Sequence, residues 1–172
     1  MDSAKRREHI MLSLKNAERP ISATKFAKEL GVSRQIIVGD VALLRASGEN
    51  ILATPRGYVI DHSSVSEQYT VACVHDFDSM EDELNIMVDN GCTVVNVIVE
   101  HPLYGQLTGP LHLSSRYDVS QFMSACRENG ASPLSTLTGG VHLHVLSCPD
   151  ADCFERTKKA LDEAGFLYTQ AQ

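Results

Sequence analysis

The sequence predicts an α+β protein of two modules, an N-terminal helical module closed by a β-hairpin and a C-terminal α/β sandwich. Residues 1–61 contain ten Lys and Arg against seven Asp and Glu, whereas residues 62–172 contain five against fifteen. Two short helical patterns with similar Ser entrances occupy the first part, and strand and helix patterns alternate in the second. We therefore expect a first domain at residues 1–61, a Ser-rich linker at residues 61–66 and a second domain at residues 67–172.

The composition excludes several classes of protein. No apolar run reaches the length of a membrane span, and the N-terminus MDSAKRREHI is charged rather than apolar. We expect a cytoplasmic protein that does not enter a membrane. The five cysteines are odd in number and contain no CxxC pair, which favours buried, reduced thiols over a disulfide framework or a zinc knuckle.

The first sixty residues predict three helices. Residues 3–17 have an apolar stripe at helical spacing, and Pro20 ends that segment. Ser22 and Ser33 are each placed to cap a further helix, with a hydrophobic residue just before the cap and another four residues after it. Between these helices stands Gly31, which suits the positive φ that ends a helix. Helix, tight turn and capped helix make a helix-turn-helix arrangement.

A hairpin follows the third helix. Residues 51–53 and 58–60 are apolar and bracket Thr54-Pro55-Arg56-Gly57, a pattern typical of two strands with a turn, the wing of a winged helix. In that fold the N-terminal part of the third helix meets base edges in the major groove. We predict that the DNA contacts come from Ser33, Arg34, Gln35, Val38 and Arg56.

The alternative for this module is an αα-hairpin used for dimerisation. It leaves the wing and the excess of basic residues unexplained, so the sequence favours DNA binding. Gly39 inside the third helix costs roughly 1 kcal/mol relative to Ala. It either permits a close approach to DNA or simply weakens the helix.

The second module alternates strands with helices. Strands are predicted at residues 68–75, 92–100, 105–113, 135–146 and 166–168, and helices at residues 79–90, 119–129 and 150–164. Gly91, Gly130 and Gly165 follow the three helices and suit their C-terminal ends. This pattern predicts one sheet with helices packed on a face, an α/β sandwich large enough for its own core.

The segment Val141–Val145 contains two alternating histidines. In a strand, His142 and His144 share one face about 7 Å apart, and the apolar residues between them form the other face, suited to a core. His75 ends the first strand of the module, and Glu83 borders the apolar stripe of the next helix, where a carboxylate needs a cationic partner. Three imidazoles and a carboxylate suit Zn²⁺, Ni²⁺ or Fe²⁺. We predict one divalent metal ion held by His75, Glu83, His142 and His144, although an HxH strand alone is equally typical of a hydrated polar face.

A second cluster, His101-Pro102-Leu103-Tyr104-Gly105, follows a strand rich in Val and Ile. An imidazole, a phenol and a glycine that permits close approach could bind a small planar or anionic ligand beside the metal. The plainer interpretation is a Pro-Gly turn with a surface histidine. We predict effector contacts from His101, Tyr104 and Gly105.

With these motifs in place, the chain resembles the NiaR-type niacin-responsive transcriptional repressors, which join a winged helix-turn-helix domain to a C-terminal 3H domain. The stretches that match are Gly31–Asp40, Val74–Asp76, His101–Gly105 and Gly139–His144. The resemblance implies a dimeric repressor of NAD-biosynthesis or niacin-uptake genes that binds operator DNA, with nicotinic acid as corepressor. It also implies nickel or zinc in the 3H domain, with ligands at the four positions named above.

Two other functions remain open from the residues alone. Three histidines and a glutamate with an open coordination position can activate water, so a metal-dependent hydrolase or lyase tethered to DNA is an alternative. We expect no enzyme, because the clusters contain no separate general base or nucleophile. In the other alternative, the second module only dimerises and its histidines are structural.

Overall fold

The computed structural model describes residues 2–61 and 67–169. The predicted linker, apart from Asp61, lies outside these ranges. The chain divides into two compact units, residues 1–63 and residues 64–172. Within the described ranges, no helix combines the length and the apolar composition needed to cross a bilayer.

The first unit contains three helices and a hairpin. They are α1 (Ser3–Lys15), α2 (Ala23–Leu30), α3 (Arg34–Ala46), β1 (Ile51–Thr54) and β2 (Gly57–Ile60). The two predicted caps are confirmed: Ser22 Oγ accepts a hydrogen bond from Lys25 N, and Ser33 Oγ accepts one from Ile36 N. Gly31 between them has φ +66°, which ends α2 with a left-handed residue.

One apolar core joins α1, α2, α3 and β1. Its buried side chains include Ile10, Leu14, Phe26, Ile37, Val41 and Ile51. The hairpin is antiparallel, and Ile51 pairs with Ile60. A β-bridge between Ile21 and Tyr58 fixes strand β2 to the residue that precedes the cap of α2. The unit is therefore a helix-turn-helix whose wing is hydrogen-bonded to the helical part.

Over its described residues, 67–169, the second unit contains four strands and three α-helices. They are β3 (Glu67–Val74), α4 (Met80–Asp89), β4 (Thr93–His101), β5 (Gly105–Leu113), α5 (Arg116–Asn129), β6 (Val141–Cys148) and α6 (Ala151–Glu163). The prediction of one strand over residues 135–146 was wrong. Leu134–Thr138 forms a 3₁₀ turn, and Gly139 and Gly140 with positive φ lead into β6. Instead of a strand at residues 166–168, there is one bridge between Cys73 and Leu167.

The four strands form one antiparallel sheet in the order β3-β6-β4-β5. Helices α4, α5 and α6 supply side chains to the core on one face. The orientation of β6 differs from expectation: His142 and His144, each 3% exposed, lie on the helix-covered face, whereas Leu143 on the other face is 36% exposed. The two imidazoles therefore lie in a core beneath helices, where a polar group requires a partner.

Candidate metal centre

Side chains from a strand end, a helix and a central strand converge on the carboxylate of Glu83. Glu83 Oε1 lies 3.0 Å from His142 Nε2, and Glu83 Oε2 lies 2.7 Å from His75 Nε2 and 3.4 Å from His144 Nε2. The Glu83 side chain is fully buried. The structure thus brings together all four residues that the sequence predicted as metal ligands.

Backbone carbonyls orient the three imidazoles. His75 Nδ1 lies 2.6 Å from the carbonyl oxygen of Asp76. His142 Nδ1 lies 2.8 Å from that of Gly140, and His144 Nδ1 lies 2.7 Å from that of Asn96. A carbonyl oxygen only accepts, so each Nδ1 must hold the proton that is donated. In the neutral ring each Nε2 is then an unprotonated lone pair, and all three face Glu83. Metal-binding histidines are typically held in this way, with the far nitrogen donating to a carbonyl or carboxylate.

The buried polar atoms around Glu83 are not all balanced by hydrogen bonds. The Nε2 atoms of His75 and His144 and the Oε2 atom of Glu83 are buried and make no hydrogen bond of acceptable geometry, although they lie close together. Lone pairs of neutral imidazoles repel a carboxylate at these distances. Only extra protons on the rings or a metal ion would make the contacts attractive. The residues present therefore fit a divalent metal ion: ligand atoms of His75, Glu83 and His142 lie within 4.8 Å of one another, and His144 Nε2 adjoins this group through Glu83 Oε2 at 3.4 Å.

The pKa values of the cluster have the same electrostatic origin. Burial by itself raises the pKa of the Glu83 carboxyl, but the charge of His144 and the bond with His142 outweigh it and hold that pKa well below its ordinary value. Burial lowers the pKa of His75, but the Glu83 carboxylate raises it more, so the net shift is upward. The cluster thus favours positive charge around a negative carboxylate.

Two positioning residues were not identified from the sequence. Asn96 lies where the register of β4 shifts against both neighbouring strands. Its carbonyl accepts from His144 Nδ1, and its Oδ1 accepts from Val145 N at 3.1 Å. Gly140, before β6, supplies the carbonyl that orients His142. The Gly139-Gly140 pair was a visible signal for Gly140, but nothing in the sequence marked the irregularity of β4 at Asn96.

The residues predicted to contact an effector lie where β4 turns into β5: His101 ends β4, Tyr104 is in the turn, and Gly105 begins β5. His101 Nδ1 accepts hydrogen bonds from the backbone N–H groups of Leu103 and Tyr104, and the rings of His101 and Tyr104 lie 5.1 Å apart. Tyr104 is 71% exposed. A groove of about 740 Å³ runs beside this turn, and its lining includes Gly105 and His142 but neither ring. A second cavity, of about 290 Å³, borders His75 and Gly140.

The residues predicted to contact DNA lie at the start of α3 and in the wing. Arg34 and Gln35 are exposed in the first turn of α3, and Ser33 caps it. Val38 is half-buried against the core of the unit, so it borders the exposed face of the helix. Arg56 is half-buried in the hairpin turn, and its backbone N–H donates to Thr54 Oγ1. Two exposed polar side chains thus stand where a recognition helix meets base edges.

Comparisons with known proteins cover both units. Residues 68–170 match the family described as the 3H domain, and residues 6–59 match a helix-turn-helix (HTH) domain family. A probable transcription repressor NiaR of Thermotoga maritima is 42% identical over 162 residues, covering 94% of this chain and 93% of that protein. The transcription repressor NadR of Bacillus subtilis is 41% identical over 168 residues, covering 95% and 93%.

Proposed function

This chain belongs to the 3H-domain family of transcription repressors with an N-terminal helix-turn-helix domain, and from that premise we propose a specific role. It represses genes of NAD biosynthesis or niacin uptake in the cytoplasm, with nicotinic acid as corepressor and one nickel or zinc ion per chain. The relatives are named as repressors, so the alternative of a metal-dependent hydrolase or lyase is set aside.

The proposal for operator binding rests on the exposed start of α3. Arg34 and Gln35 supply donors and an acceptor for base edges, and Ser33 and Arg56 supply contacts to the sugar-phosphate backbone. The first unit has an excess of basic residues, whereas the second is acidic. Phosphate contact is therefore restricted to the first unit, and the affinity for DNA falls as salt concentration rises.

The metal proposal rests on one observation, the three Nδ1–carbonyl bonds that direct unprotonated Nε2 atoms at Glu83. His75, Glu83, His142 and His144 would hold the ion. When bound, the ion supplies positive charge that neutralises the buried carboxylate and a Lewis-acidic position for an anionic ligand. The protein's own part is to hold the donors in fixed orientation, through backbone carbonyls and through a helix that covers the site.

We place the effector in the groove between the turn after β4 and strand β6. Its volume lies within the range of small-molecule sites, and it extends from Gly105 to His142, one of the four candidate ligands. The half-buried ring of His101 and the exposed ring of Tyr104 stand beside it and are available to cover a planar acid. For nicotinic acid to act as corepressor, it must bind the DNA-competent arrangement more tightly than the other one.

A homodimer completes the proposal, because a helix-turn-helix repressor reads two half-sites with two recognition helices. Light scattering of the purified protein tests the dimer directly. A mass of a single chain at the concentration used for DNA binding would contradict it.

The experiment that tests the regulator is a four-arm DNA-shift titration. A duplex from upstream of a niacin-uptake or NAD-biosynthesis gene is titrated with metal-loaded and with chelator-stripped protein, each with and without nicotinic acid. We expect tight binding only in the arm that contains both metal and nicotinic acid. Equal affinity in all four arms would reject the effector and metal proposals while leaving DNA binding intact.

Substitutions separate the parts of this proposal. Gln35→Ala should weaken operator binding on the order of 10-fold, whereas Glu128→Gln on the exposed surface of α5 should not. Tyr104→Ala should weaken nicotinic acid binding in calorimetry, with Tyr117→Ala as the matched control, since Tyr117 is an equally exposed tyrosine on α5. If both tyrosine variants bind alike, the effector lies elsewhere.

A further inference from the structure

A second group of ligand atoms lies in the same unit, on three cysteines. Cys92 Sγ lies 3.1 Å from Cys148 Sγ and 3.6 Å from Cys153 Sγ. All three sulfurs lie within 4.8 Å of one another, and no side chain of the three is more than 1% exposed. Cys92 is the residue before β4, Cys148 ends β6, and Cys153 lies in the first turn of α6.

Two neutral oxygens contact the sulfurs, and an exposed guanidinium lies beside one of these oxygens. Thr157 Oγ1 lies 3.2 Å from Cys92 Sγ, and the Cys153 thiol donates to the carbonyl oxygen of Asn90 at 3.0 Å. The guanidinium of Arg156 donates to the same carbonyl at 3.4 Å. A buried free cysteine ordinarily acts as a small apolar side chain among apolar neighbours. Here three sulfurs contact one another and two oxygens, which is the composition of a ligand shell.

We propose that Cys92, Cys148 and Cys153 form a second metal site, which binds a thiophilic divalent ion such as Zn²⁺ through three thiolates. Thr157 Oγ1 or the carbonyl oxygen of Asn90 is available as a fourth, neutral donor. Binding releases three protons: three thiols and one Zn²⁺ give a complex with one negative charge and three H⁺.

The ligand set selects the class of ion. Thiolates favour Zn²⁺, Cu⁺ and iron–sulfur clusters over hard ions. A divalent ion leaves one net negative charge with three thiolates and a monovalent ion leaves two, and burying the larger charge costs more. The positive charge of the exposed Arg156 works against the burial that raises the pKa of Cys153, and so favours one thiolate. Tetrahedral Zn–S bonds of about 2.3 Å separate the sulfurs by about 3.8 Å, so Cys92 and Cys148 would move apart by about 0.7 Å.

The competing interpretation is a disulfide between Cys92 and Cys148. That bond would have to shorten the sulfur separation to about 2.05 Å and would need an oxidant that takes up two electrons and two protons. Reactive cysteines are exposed and have a lowered pKa, whereas burial raises the pKa of Cys148 well above its ordinary value. The raised pKa opposes thiolate formation in either case, but three sulfurs rather than two lie together, and burial shields them from an oxidant, so the geometry favours an ion over oxidation.

This site is independent of the histidine centre. Cys148 lies four residues after His144 on the same buried face of β6, about 13 Å further along the strand. That separation is too large for one ion to contact both groups. The histidine site and the cysteine site can therefore be tested independently, and failure of one does not affect the other.

The first test counts ions in the full-length protein. Reduced protein is stripped with a chelator, reloaded with Zn²⁺ and measured by native mass spectrometry, in a background with His142→Ala and His144→Ala that empties the histidine centre. We expect one tightly bound zinc per chain, its loss on adding Cys92→Ser, and its retention on adding Cys126→Ser. Cys126 is a partly buried cysteine of α5 outside the cluster. No zinc in the background variant would overturn the proposal.

The second test leaves the cluster unaltered and so does not depend on how a cysteine variant folds. Co²⁺ replaces Zn²⁺ in the same background, and absorption is recorded in the near ultraviolet. We expect an intense thiolate-to-cobalt charge-transfer band that one equivalent of Zn²⁺ removes. A spectrum without this band, or a non-reduced chain lighter by two hydrogens with a Cys92–Cys148 linkage, would overturn the thiolate site.

Discussion

A Cβ atom added to Gly140 would lie 2.6 Å from the backbone carbonyl oxygen of His75, closer than side chains come to backbone. Gly140 has φ +98°, and its own carbonyl orients His142. One glycine therefore sets the spacing between two of the candidate ligands. A side chain at this position must displace the backbone of His75 or of Gly140, and so change the spacing of His75 and His142.

We expect Gly140→Ala to lower the zinc affinity of the histidine centre by about 10- to 100-fold, the effect typical of residues that orient metal ligands. Gly139→Ala is the matched control: it also has a positive φ, of +64°, but nothing lies within 4 Å of its added Cβ. Zinc titration of both variants measures the difference. Equal losses would mean that backbone strain, and not the contact with His75, causes the effect.

The wing depends on a similar close approach. A Cβ on Gly57 would lie 2.5 Å from the backbone of Ile21, where two hydrogen bonds join Ile21 and Tyr58. We expect Gly57→Ala to destabilise the first unit by about 1–3 kcal/mol and to weaken DNA binding, while zinc binding is unchanged. Chemical denaturation and DNA-shift titration test this, with Gly48→Ala as a control of positive φ in open space. Unaltered DNA affinity would show that the docked wing does not contribute to binding.

Substitution of Gly39 should have the opposite effect on stability. It lies inside α3, and nothing stands within 4 Å of an added Cβ. Gly39→Ala should raise the free energy of unfolding by about 1 kcal/mol, and Ala42→Gly, at another exposed position of the helix, should lower it by a similar amount. Denaturation curves give both values. A fall in operator affinity for the stabilised variant would identify Gly39 as a point of close approach to DNA, and unchanged affinity would reject that role.

The pH dependence of stability should change sign when metal is bound. In the metal-free protein, the raised pKa of His75 stabilises the fold below the ordinary histidine value of about 6.5, and this contribution is lost as pH rises through the raised pKa. The lowered pKa of Glu83 stabilises the fold at all pH values above its ordinary pKa and loses its effect only in acid. Bound metal competes with protons for the imidazoles, so its stabilisation grows as pH rises.

We therefore expect the stability of the chelated protein to fall, and that of the zinc-loaded protein to rise, as the pH is raised from about 6 to about 8. Urea denaturation at fixed free zinc gives both slopes. Replacing Glu83 with Gln should remove the downward slope of the metal-free protein. Parallel slopes in the two states would contradict metal binding by these histidines.

Local chemistry allowed the first unit to be predicted from sequence. The caps at Ser22 and Ser33 and the turn at Gly31 depend on residues within four positions of one another, and the structure has them as expected. The strand with His142 and His144 was predicted, but the covered face was assigned wrongly. Alternation states which side chains share a face, whereas tertiary packing alone decides which face the helices cover.

Of the two clusters formed by residues far apart in the chain, the histidine–glutamate cluster was predicted from the sequence and the cysteine cluster was not. Glu83 was found because a carboxylate beside an apolar stripe needs a partner, and its partners are histidines of recognisable spacing. The cysteines were expected to be buried and free; all five are free, and all but the partly buried Cys126 are buried. Their contact was not foreseen, because Cys92 and Cys148 are 56 residues apart and no spacing pattern connects them.

Strand β6 lies inside the sheet, with backbone hydrogen bonds to β3 on one side and β4 on the other. His142 and His144 are thus held between two neighbouring strands, whereas Glu83 lies on the ten-residue helix α4, which packs on the sheet through side chains. We therefore expect loss of the ion to loosen α4 and to leave the sheet unchanged. Faster amide exchange in α4, with β6 still protected, would show that the helix is the moving part of the sensor and that the strand is its fixed part.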